Sequence, residues 1–291
     1  PIYMLKLLPY FHKYDIIHTH NTAPQLFAAI ASLVSSVVLC TTEHTTSNRR
    51  RSLKWYRPID KWMYSRYKKI ISISPATTEN LRKHIKKSCP IDTIPNGINV
   101  ERYSAAISVE RKNIGCKNDA FLLMMVAGFR YQKDQDTIIR ALTLLPKNVQ
   151  LCLVGDGDRR DECEELVKRL NLGERVVFTG VRSDIPNVLK AADVVIMSSH
   201  LEGFGLAAVE GMAAGKPVVA SDVVGLGDIV KNYGCVFPQG DERKLAEIVD
   251  CLRNDSNLYK ALAGQCYSRS KDYDISKTID SYIDIYESIV K

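Results

Sequence analysis

Short apolar segments alternate with amphipathic ones along most of the chain, and this alternation restricts the fold more than any other feature. Apolar runs of strand length lie at residues 15–18, 37–41, 69–73, 121–127, 149–154, 176–179, 194–197, 217–220 and 235–237. Helical periodicity lies between most of them, at residues 77–86, 135–144, 160–170, 185–191, 207–214 and 241–254. Strands that alternate with helices form parallel sheets covered on both faces, so the sequence predicts an α/β protein with doubly wound sheets.

The stretch IPNGINVERY at residues 94–103 interrupts this alternation with Pro95, Asn96 and Gly97, a combination typical of turns. A chain of 291 residues, 45% of them hydrophobic, is long enough to bury two cores. We therefore predict two domains, with residues 1–104 in the first and residues 105–275 in the second. Residues 276–291 have the pattern of an amphipathic helix.

The positive charge belongs to the first part of the chain. Residues 1–100 hold 15 Lys and Arg against 5 Asp and Glu, a net of +10, so residues 101–291 carry −3 of the total of +7. Basic and aromatic residues occur together at 48–57 and 83–87, which predicts either a contact with anionic lipid headgroups or a solvated charged surface. No recognised nucleic-acid-binding module accompanies the charge, so nucleic acid is not expected as a partner.

The cysteine spacing and the apolar stretches of the sequence bear on metal binding and on the cellular compartment of the protein. Its eight cysteines form no CxxC pair and have no histidine at zinc-site spacing, which predicts reduced core residues, no metal site and a cytoplasmic protein. Residues 23–40 are the most apolar stretch, but Gln25 and serines interrupt them, so no membrane span is expected. Peripheral attachment to the inner face of the cytoplasmic membrane stays open, and so does the oligomeric state.

The segment LCLVGDGDRRDE at residues 151–162 is the first candidate for a ligand-binding turn. A dinucleotide fingerprint needs a third glycine where Arg160 stands, so a nicotinamide enzyme is not favoured. Asp156 and Asp158 spell DxD, a pattern with which some sugar transferases hold a metal. The interpretation that we favour is a solvated turn between a strand and a helix.

The segment HLEGFGLAAVEGMAAGKPVV at residues 200–219 is the second candidate, and it follows the predicted strand 194–197. Gly203 and Gly205 allow backbone amides to face outward where a helix begins, and a helix N-terminus attracts phosphate. Glu210 lies about one and a half turns into the helix and is placed to accept hydrogen bonds from ribose hydroxyls. Glu202 lies in the preceding loop, where it would face the group attached to the diphosphate.

This segment resembles the EX7E motif of retaining glycosyltransferases of family 4, which have the GT-B fold. IPNGIN, RVVFTGVRSDIPNVLKAADVVIMSS, DIIHTHN and the TEH triplet are similar to other segments of that family in the same order. The resemblance covers nearly the whole chain. It implies two Rossmann-like domains that face a cleft, with the helix at 276–291 crossing back to the first domain. Family members usually begin with a strand and a glycine-rich loop, so the first domain is expected to be truncated here.

The resemblance also implies roles for single residues. Glu210 would bind the ribose and Glu202 the donor sugar, while Gly203, Phe204, Gly205 and Leu206 would bind the diphosphate. Lys133 matches the family's lysine, which neutralises the departing diphosphate. Gly128 occupies the usual place of the family's arginine at the nucleotide site. Arg130 stands two residues later, and its long side chain would reach the same phosphate and share the catalytic role of that arginine. The backbone around Val181 and Arg182 would hold the nucleobase, although for Arg182 a solvated side chain is an equal alternative. These positions complete the implied site.

Histidines of the first domain are the remaining candidates. His44, in the TEH triplet, is implied by the resemblance to contact the donor sugar and to take part in catalysis. For His20, a ligand-facing position and a core position are equally favoured. His12, His84 and His200 carry no functional indication.

The function implied is a hexosyl or N-acetylhexosaminyl transfer, with retention and without metal or cofactor. The donor would be a nucleotide sugar, with a UDP-sugar favoured over a GDP-sugar. The acceptor would be a glycan or a polyprenyl-pyrophosphate-linked glycan in cell-surface polysaccharide synthesis. An epimerase or phosphorylase of the same fold, and a non-catalytic module that binds a membrane or a partner, are the alternatives.

Overall fold

The computed structural model describes residues 2–45, 53–85 and 90–290, the side chains of residues 2–5 and 54 excepted. The chain divides into two compact units, residues 1–96 with 276–291 and residues 97–275. The predicted boundary after residue 104 lies too late. Asn99 accepts a 2.9 Å hydrogen bond from the amide of Arg102 and starts a short helix, and Ile98 pairs with Asp274, so both belong to the second unit.

The first unit contains one parallel sheet in the order β1-β2-β3-β4. Its elements are α1 (Ile2–Phe11), β1 (Ile16–His20), α2 (Thr22–Ala31), β2 (Val38–Glu43), α3 (Arg57–Ser65), β3 (Lys69–Ser72), α4 (Pro75–Ile85), β4 (Ile91–Thr93) and the C-terminal helix Ile275–Val290. Leu39 and Ile70 pack on one face of the sheet, while their neighbours Cys40 and Ile71 pack on the other, which the C-terminal helix covers. Burial on both faces explains why consecutive residues of β2 and β3, and not only alternate ones, are apolar at these positions.

The second unit contains six parallel strands in the order β10-β9-β8-β5-β6-β7. Its elements are α5 (Val100–Ser104), β5 (Phe121–Val126), α6 (Gln135–Leu142), β6 (Val149–Val154), α7 (Arg160–Arg169), β7 (Val176–Gly180), α8 (Ile185–Ala191), β8 (Val194–Met197), α9 (Leu206–Ala213), β9 (Val218–Ser221), α10 (Leu226–Val230), β10 (Cys235–Phe237), α11 (Glu242–Asn254) and α12 (Ser256–Ser270). The strand order reverses between β5 and β8, so the loops after these two strands leave the same edge of the sheet at a topological switch point.

Most predicted strands lie within a residue or two of the observed ones, and β6, β8, β10 and α8 coincide with their predicted ranges. The sequence prediction missed α1, α3, β4 and α12, and also the two short helices α5 and α10. β4 has only three residues and carries Asp92 at its centre, whose carboxylate pairs with Lys69 at 2.6 Å. α3 was missed because it points large apolar side chains outward, which removes the usual apolar stripe facing the core.

Two sequence predictions concern membrane spans and cysteines. Among the helices that the structure describes, none combines the length and apolar character that crossing a bilayer requires. Cys40, Cys116, Cys152, Cys163 and Cys266 are buried free thiols, as predicted for core residues. Cys235 is half-buried and Cys251 is exposed, so the core assignment is wrong for Cys251, while Cys89 lies outside the described residues.

Candidate functional site

The switch point of the second unit brings together two loops that the sequence places about seventy residues apart. The hydroxyl of Ser198, directly after β8, donates a 2.7 Å hydrogen bond to the carbonyl of Asp134, which ends the loop after β5. The amide of His200 donates to the carbonyl of Gln132 at 2.8 Å. Ligands of open α/β sheets bind at this position, so the two loops define the candidate site.

Lys133 and Glu202 form the central ion pair of this site. The Nζ atom of Lys133 lies 2.5 Å from Oε2 of Glu202, and their side chains are 26% and 15% exposed. Ser199 donates a longer hydrogen bond of 3.4 Å to the same carboxylate oxygen. An ammonium group has three N–H donors, so Lys133 retains donors for a second anion while it holds Glu202.

Asp134 fixes the backbone next to Lys133. Asp134 has a left-handed conformation with φ of 49°. Its carboxylate accepts hydrogen bonds from the amide and the hydroxyl of Thr137, and Asp134 thereby caps the N-terminus of α6. Burial raises the pKa of Asp134, and His200 lies 3.4 Å from its Oδ2 atom. The short turn of residues 131–133 is therefore held at both ends, which positions the Lys133 side chain.

The turn at residues 203–205 favours glycine at its last position, because Gly205 has φ of 104°, a left-handed conformation that other residues rarely adopt. A Cβ atom added there would lie 2.9 Å from the end of the Leu226 side chain. A Cβ atom on Gly225 would lie 2.6 Å from the carbonyl oxygen of Glu202, so α10 packs tightly against this turn. α9 begins at Leu206, which is 40% exposed, and its first amides have no acceptor within the helix. This end of α9 can bind an anion.

Phe204 is buried, with only 5% of its side chain exposed, and its ring meets Tyr273 edge to face at 5.3 Å between centroids. The prediction that Phe204 belongs to the diphosphate-binding turn therefore applies to its backbone alone. Its side chain anchors the turn to the end of α12.

Glu210 lies one turn inside α9 and is hydrogen-bonded to a residue that the sequence did not indicate. The hydroxyl of Tyr103 donates to Oε1 of Glu210 at 2.7 Å. Burial raises the pKa of Glu210, and the Tyr103 hydrogen bond and the Arg102 charge oppose that shift. Tyr103 fixes one carboxylate oxygen, and within the described ranges no residue hydrogen-bonds the other, which is available to a ligand. The only sequence signal for Tyr103 is its position at the end of the 94–103 hinge.

Arg130 and Gly128 occupy different environments in the loop after β5. Arg130 is exposed, and among the residues that the structure describes its side chain has no carboxylate partner. Gly128 accepts a 3.1 Å hydrogen bond from the side chain of Gln135. A Cβ atom on Gly128 would meet only ordinary contacts, at 3.5 Å from the carbonyl of Asp156. Arg130 is thus free to move toward a bound anion, and Gly128 is not required for space.

Val181 and Arg182 follow β7, on the far side of β6 from the Lys133 loop. Val181 is 79% exposed. Arg182 makes a bidentate pair with Asp184, at 2.9 and 2.7 Å, so its guanidinium is already engaged. The pair raises the pKa of Arg182 and lowers that of Asp184. A specific side-chain contact from Arg182 would have to break this pair, which leaves the backbone as the available ligand group.

The GDG turn at residues 155–157 packs against the loop after β5. A Cβ atom on Gly155 would lie 2.2 Å from the carbonyl of Ala127, and one on Gly157 would lie 2.5 Å from that of Phe129. The carbonyl of Asp156 accepts a 3.0 Å hydrogen bond from the amide of Phe129. In the described parts of the chain, no three His, Cys, Asp or Glu side chains are grouped so that they could hold a metal ion.

Three histidines cluster in the first unit, at the carboxyl ends of β1 and β2. Nδ1 of His20 lies 2.8 Å from Nε2 of His44, and the ring of His18 stacks on that of His20 at 4.5 Å. His18 is hydrogen-bonded to Tyr286 at 2.6 Å and to Thr42 at 2.9 Å. His20 is exposed, which favours the ligand-facing alternative over a core position. In the part of the chain that the structure describes, Nδ1 of His44 has no hydrogen-bond partner and is available to a ligand.

Burial keeps these histidines uncharged near neutral pH. It lowers the pKa of His18 to about 4, with additional repulsion from His20 and His44. Burial also lowers the pKa of His20 and of His44, and the negative charge of Glu43 partly opposes the shift of His44. A neutral imidazole can accept or donate a hydrogen bond to a sugar hydroxyl without adding charge. Among the other histidines, His84 pairs with Asp60 at 2.8 Å.

Family models cover almost the entire chain. Residues 107–269 match the model described as Glycosyl transferases group 1, and residues 1–102 match the model described as Glycosyltransferase Family 4.

Relatives and solved structures agree with these matches. A UDP-Gal:alpha-D-GlcNAc-diphosphoundecaprenol alpha-1,3-galactosyltransferase of Escherichia coli is 28% identical over 308 residues, covering 96% of this chain and 76% of that protein. An uncharacterized glycosyltransferase of Methanocaldococcus jannaschii is 32% identical over 262 residues, covering 84% and 67%. The crystal structure of Anabaena HepE in complex with UDP and glucose has a TM-score of 0.88 and 25% identity, covering 98% of this chain and 81% of that one.

Proposed function

This chain belongs to the glycosyl transferases group 1 family and has the GT-B fold, and we propose that it transfers a hexose or N-acetylhexosamine from a nucleotide sugar with retention of the anomeric configuration. The observation that carries the proposal is the grouping of Lys133, Glu202, the start of α9 and Glu210 at the switch point of the second unit. The cation and the helix-end amides suit a diphosphate. Of the two separate carboxylates, Glu202 suits a sugar and Glu210 suits a ribose.

Each group has a distinct task in this proposal. The diphosphate lies over the first turn of α9, where the helix end and Lys133 meet its charge. Glu210 accepts hydrogen bonds from the ribose through the oxygen that Tyr103 leaves free. Glu202, held by Lys133, contacts hydroxyls of the donor sugar, and His44 contacts the sugar as a neutral donor or acceptor. The backbone near Val181 borders the nucleobase.

The reaction breaks the bond between the anomeric carbon and the diphosphate oxygen and forms a bond between that carbon and the acceptor oxygen. Negative charge builds on the diphosphate, so Lys133, Arg130 and the amides of α9 stabilise the transition state more than the ground state. The acceptor attacks from the face that the diphosphate leaves, and its proton passes to the leaving phosphate oxygen. A nucleophilic carboxylate of the type used by retaining glycosidases is not assigned.

Donor and acceptor are proposed from the relatives. The E. coli relative is named for UDP-Gal and a diphosphoundecaprenol-linked acceptor, and the HepE crystals contain UDP and glucose. We therefore propose a UDP-sugar rather than a GDP-sugar, and a glycan or polyprenyl-pyrophosphate-linked acceptor in cell-surface polysaccharide synthesis. A lipid-linked acceptor would place the reaction at the inner face of the cytoplasmic membrane.

A thermal-shift panel of UDP-, GDP- and ADP-sugars tests the donor, because a ligand that binds only the folded state raises its melting temperature. A shift with UDP-sugars and none with GDP- or ADP-sugars supports the proposal. No shift with any of them contradicts it. Product analysis then distinguishes transfer from epimerisation or phosphorolysis, and activity that survives excess EDTA supports a reaction without metal. Loss of activity restored by manganese would favour a metal at Asp156 and Asp158.

A further inference from the structure

Helix α3 of the first unit and the turn before it expose three large apolar side chains to solvent. Trp55, Ile59 and Trp62 are 68%, 38% and 37% exposed. Their spacing of four and three residues places them along one side of the helix and of the turn before it. Met63 and Tyr64, on the opposite side, are fully buried in the core. We call the outward set of Trp55, Ile59 and Trp62 the tryptophan stripe.

A second exposed apolar pair adjoins the end of this helix. The guanidinium of Arg66 donates hydrogen bonds of 3.1 Å to both the hydroxyl and the carbonyl oxygen of Ser32. The next two residues, Leu33 and Val34, are 59% and 66% exposed. The apolar surface therefore continues beyond α3 to the end of α2.

Helix α3 also supplies positive charge on this side of the first unit. It contains Lys61, and Arg66 directly follows it, whereas the guanidinium of Arg57 is turned to the carbonyls of Lys83 and His84 at the end of α4. Its single carboxylate, Asp60, is fully buried and pairs with His84 at 2.8 Å, so it does not offset the outward charge. The sequence around the helix is strongly basic, with a net of +10 over residues 1–100.

Exposed tryptophans bordered by cations need a physical reason, because a water-facing helix surface is normally polar. Tryptophan prefers the interface between apolar chains and polar headgroups, and nearby Lys and Arg are attracted to anionic lipids. We propose that the tryptophan stripe, together with Leu33 and Val34, docks this protein on a bilayer that contains anionic phospholipid. A hydrophobic strip with a basic border matches both the acyl region and the charged headgroups. The proposal uses no residue of the donor site, so it stands or fails separately from sugar transfer.

The intrinsic fluorescence of the protein reports directly on this surface, because the chain has two tryptophans and both lie on the stripe. Phosphatidylcholine vesicles with and without phosphatidylglycerol are titrated into the full chain. We expect a blue shift, quenching by brominated acyl chains and co-sedimentation with the phosphatidylglycerol vesicles. Added salt should weaken all three, since part of the attraction is electrostatic.

Matched variants distinguish binding through the tryptophan stripe from nonspecific hydrophobic adsorption to vesicles. The double variant Ile59→Ser with Trp62→Ser should weaken vesicle binding about tenfold or more. Ile107→Ser, which changes an equally apolar side chain that is 81% exposed in the second unit, should leave binding unchanged. Lys61→Gln should lower binding to anionic vesicles, and Lys260→Gln on α12 should not. UDP binding and thermal melting identify any variant that fails to fold.

Several results would overturn the proposal. They are an absence of co-sedimentation with phosphatidylglycerol vesicles, no quenching of the wild-type tryptophans by brominated lipid, or equal binding by the double variant and the Ile107→Ser control. A blue shift that depends on protein concentration without vesicles, with a dimer in sedimentation velocity, would assign the stripe to a second copy of the chain instead. The quenching result uses unmodified protein, so it decides the question even if the double variant is unstable.

Discussion

The Nζ atom of Lys133 lies 2.5 Å from Oε2 of Glu202, and this ion pair joins the loop after β5 to the loop after β8. Both side chains are mostly shielded from solvent, so the pair is screened less than a surface ion pair. It places the cation proposed for the diphosphate next to the carboxylate proposed for the sugar.

Replacing Lys133 should affect the rate more than binding. Lys133→Ala should lower kcat by about 10²-fold or more while changing donor KM much less, because its charge is needed most as the diphosphate departs. Steady-state kinetics with a UDP-sugar measures both constants. A normal kcat in a folded Lys133→Ala variant would remove Lys133 from the leaving-group site.

Arg130 should be less critical than Lys133, since it is exposed and, among the described residues, no hydrogen bond or ion pair fixes its side chain. Arg130→Ala should lower kcat, but by a smaller factor than Lys133→Ala. Arg243→Ala, which removes an exposed arginine on α11, is the control for a general charge effect. Equal turnover in Arg130→Ala and the Arg243→Ala control would make Arg130 a surface residue.

Tyr103 should influence the pH at which nucleotide binding is lost. Its hydrogen bond favours the ionised form of Glu210 and opposes the rise in pKa caused by burial. In Tyr103→Phe the pKa of Glu210 should rise further, so UDP affinity should begin to fall at a higher pH as the solution is acidified. The loss of this hydrogen bond should also lower the free energy of unfolding by about 1 kcal/mol.

Calorimetric titrations with UDP across the acid range measure this shift. Tyr259→Phe is the matched control, because the Tyr259 hydroxyl donates 2.9 Å to the carbonyl of Asp193 elsewhere in the second unit. The same pH profile in Tyr103→Phe and in wild type would mean that Tyr103 only fills space beside Glu210.

The histidine cluster should make the first unit sensitive to acid. The folded-state pKa of His18 is about 4, below its unfolded value of 6.5. The unfolded chain therefore binds the extra proton first, and the free energy of unfolding should fall as pH drops from about 6.5 toward 4. The contribution is on the order of 2 kcal/mol, after allowance for partial solvent access.

Replacing His18 should flatten this dependence. His18→Gln should lose less stability than wild type between pH 7 and pH 5 in thermal melts, whereas the exposed His12→Gln should behave like wild type. His20, His44, Tyr282 and Tyr286 all face His18 and remain in the variant. An unchanged slope in His18→Gln would mean that other groups determine the acid response.

Much of the fold could be predicted because a buried parallel strand requires a short, largely apolar run of residues, which is recognisable in the sequence. Residues 194–197 are apolar without interruption, residues 149–154 are apolar except for Gln150, and the structure buries every one of them. Elements whose outward face breaks the usual pattern could not be predicted in this way. α3 exposes Trp62 and Ile59, and β4 is a three-residue edge strand with a charge at its centre.

The site was predictable as a set of residue types but not as a geometry. Lys133 and Glu202 were each assigned to the donor, yet their ion pair depends on the reversal of strand order between β5 and β8, which no local pattern encodes. Tyr103 gave no signal because its partner Glu210 lies 107 residues away. The hydrogen bond from His20 to His44 likewise depends on the alignment of β1 with β2.

The most direct test of the proposed donor site is the affinity of UDP for wild type and for Glu210→Ala, measured by calorimetry. Glu165→Ala, which removes an exposed glutamate on α7, is the control. A buried carboxylate that hydrogen-bonds a ligand contributes about 1.5 to 3 kcal/mol, so Glu210→Ala should bind UDP roughly ten- to a hundredfold more weakly than wild type or the control. No UDP binding by wild type, or equal affinity in wild type and Glu210→Ala, would contradict the assignment.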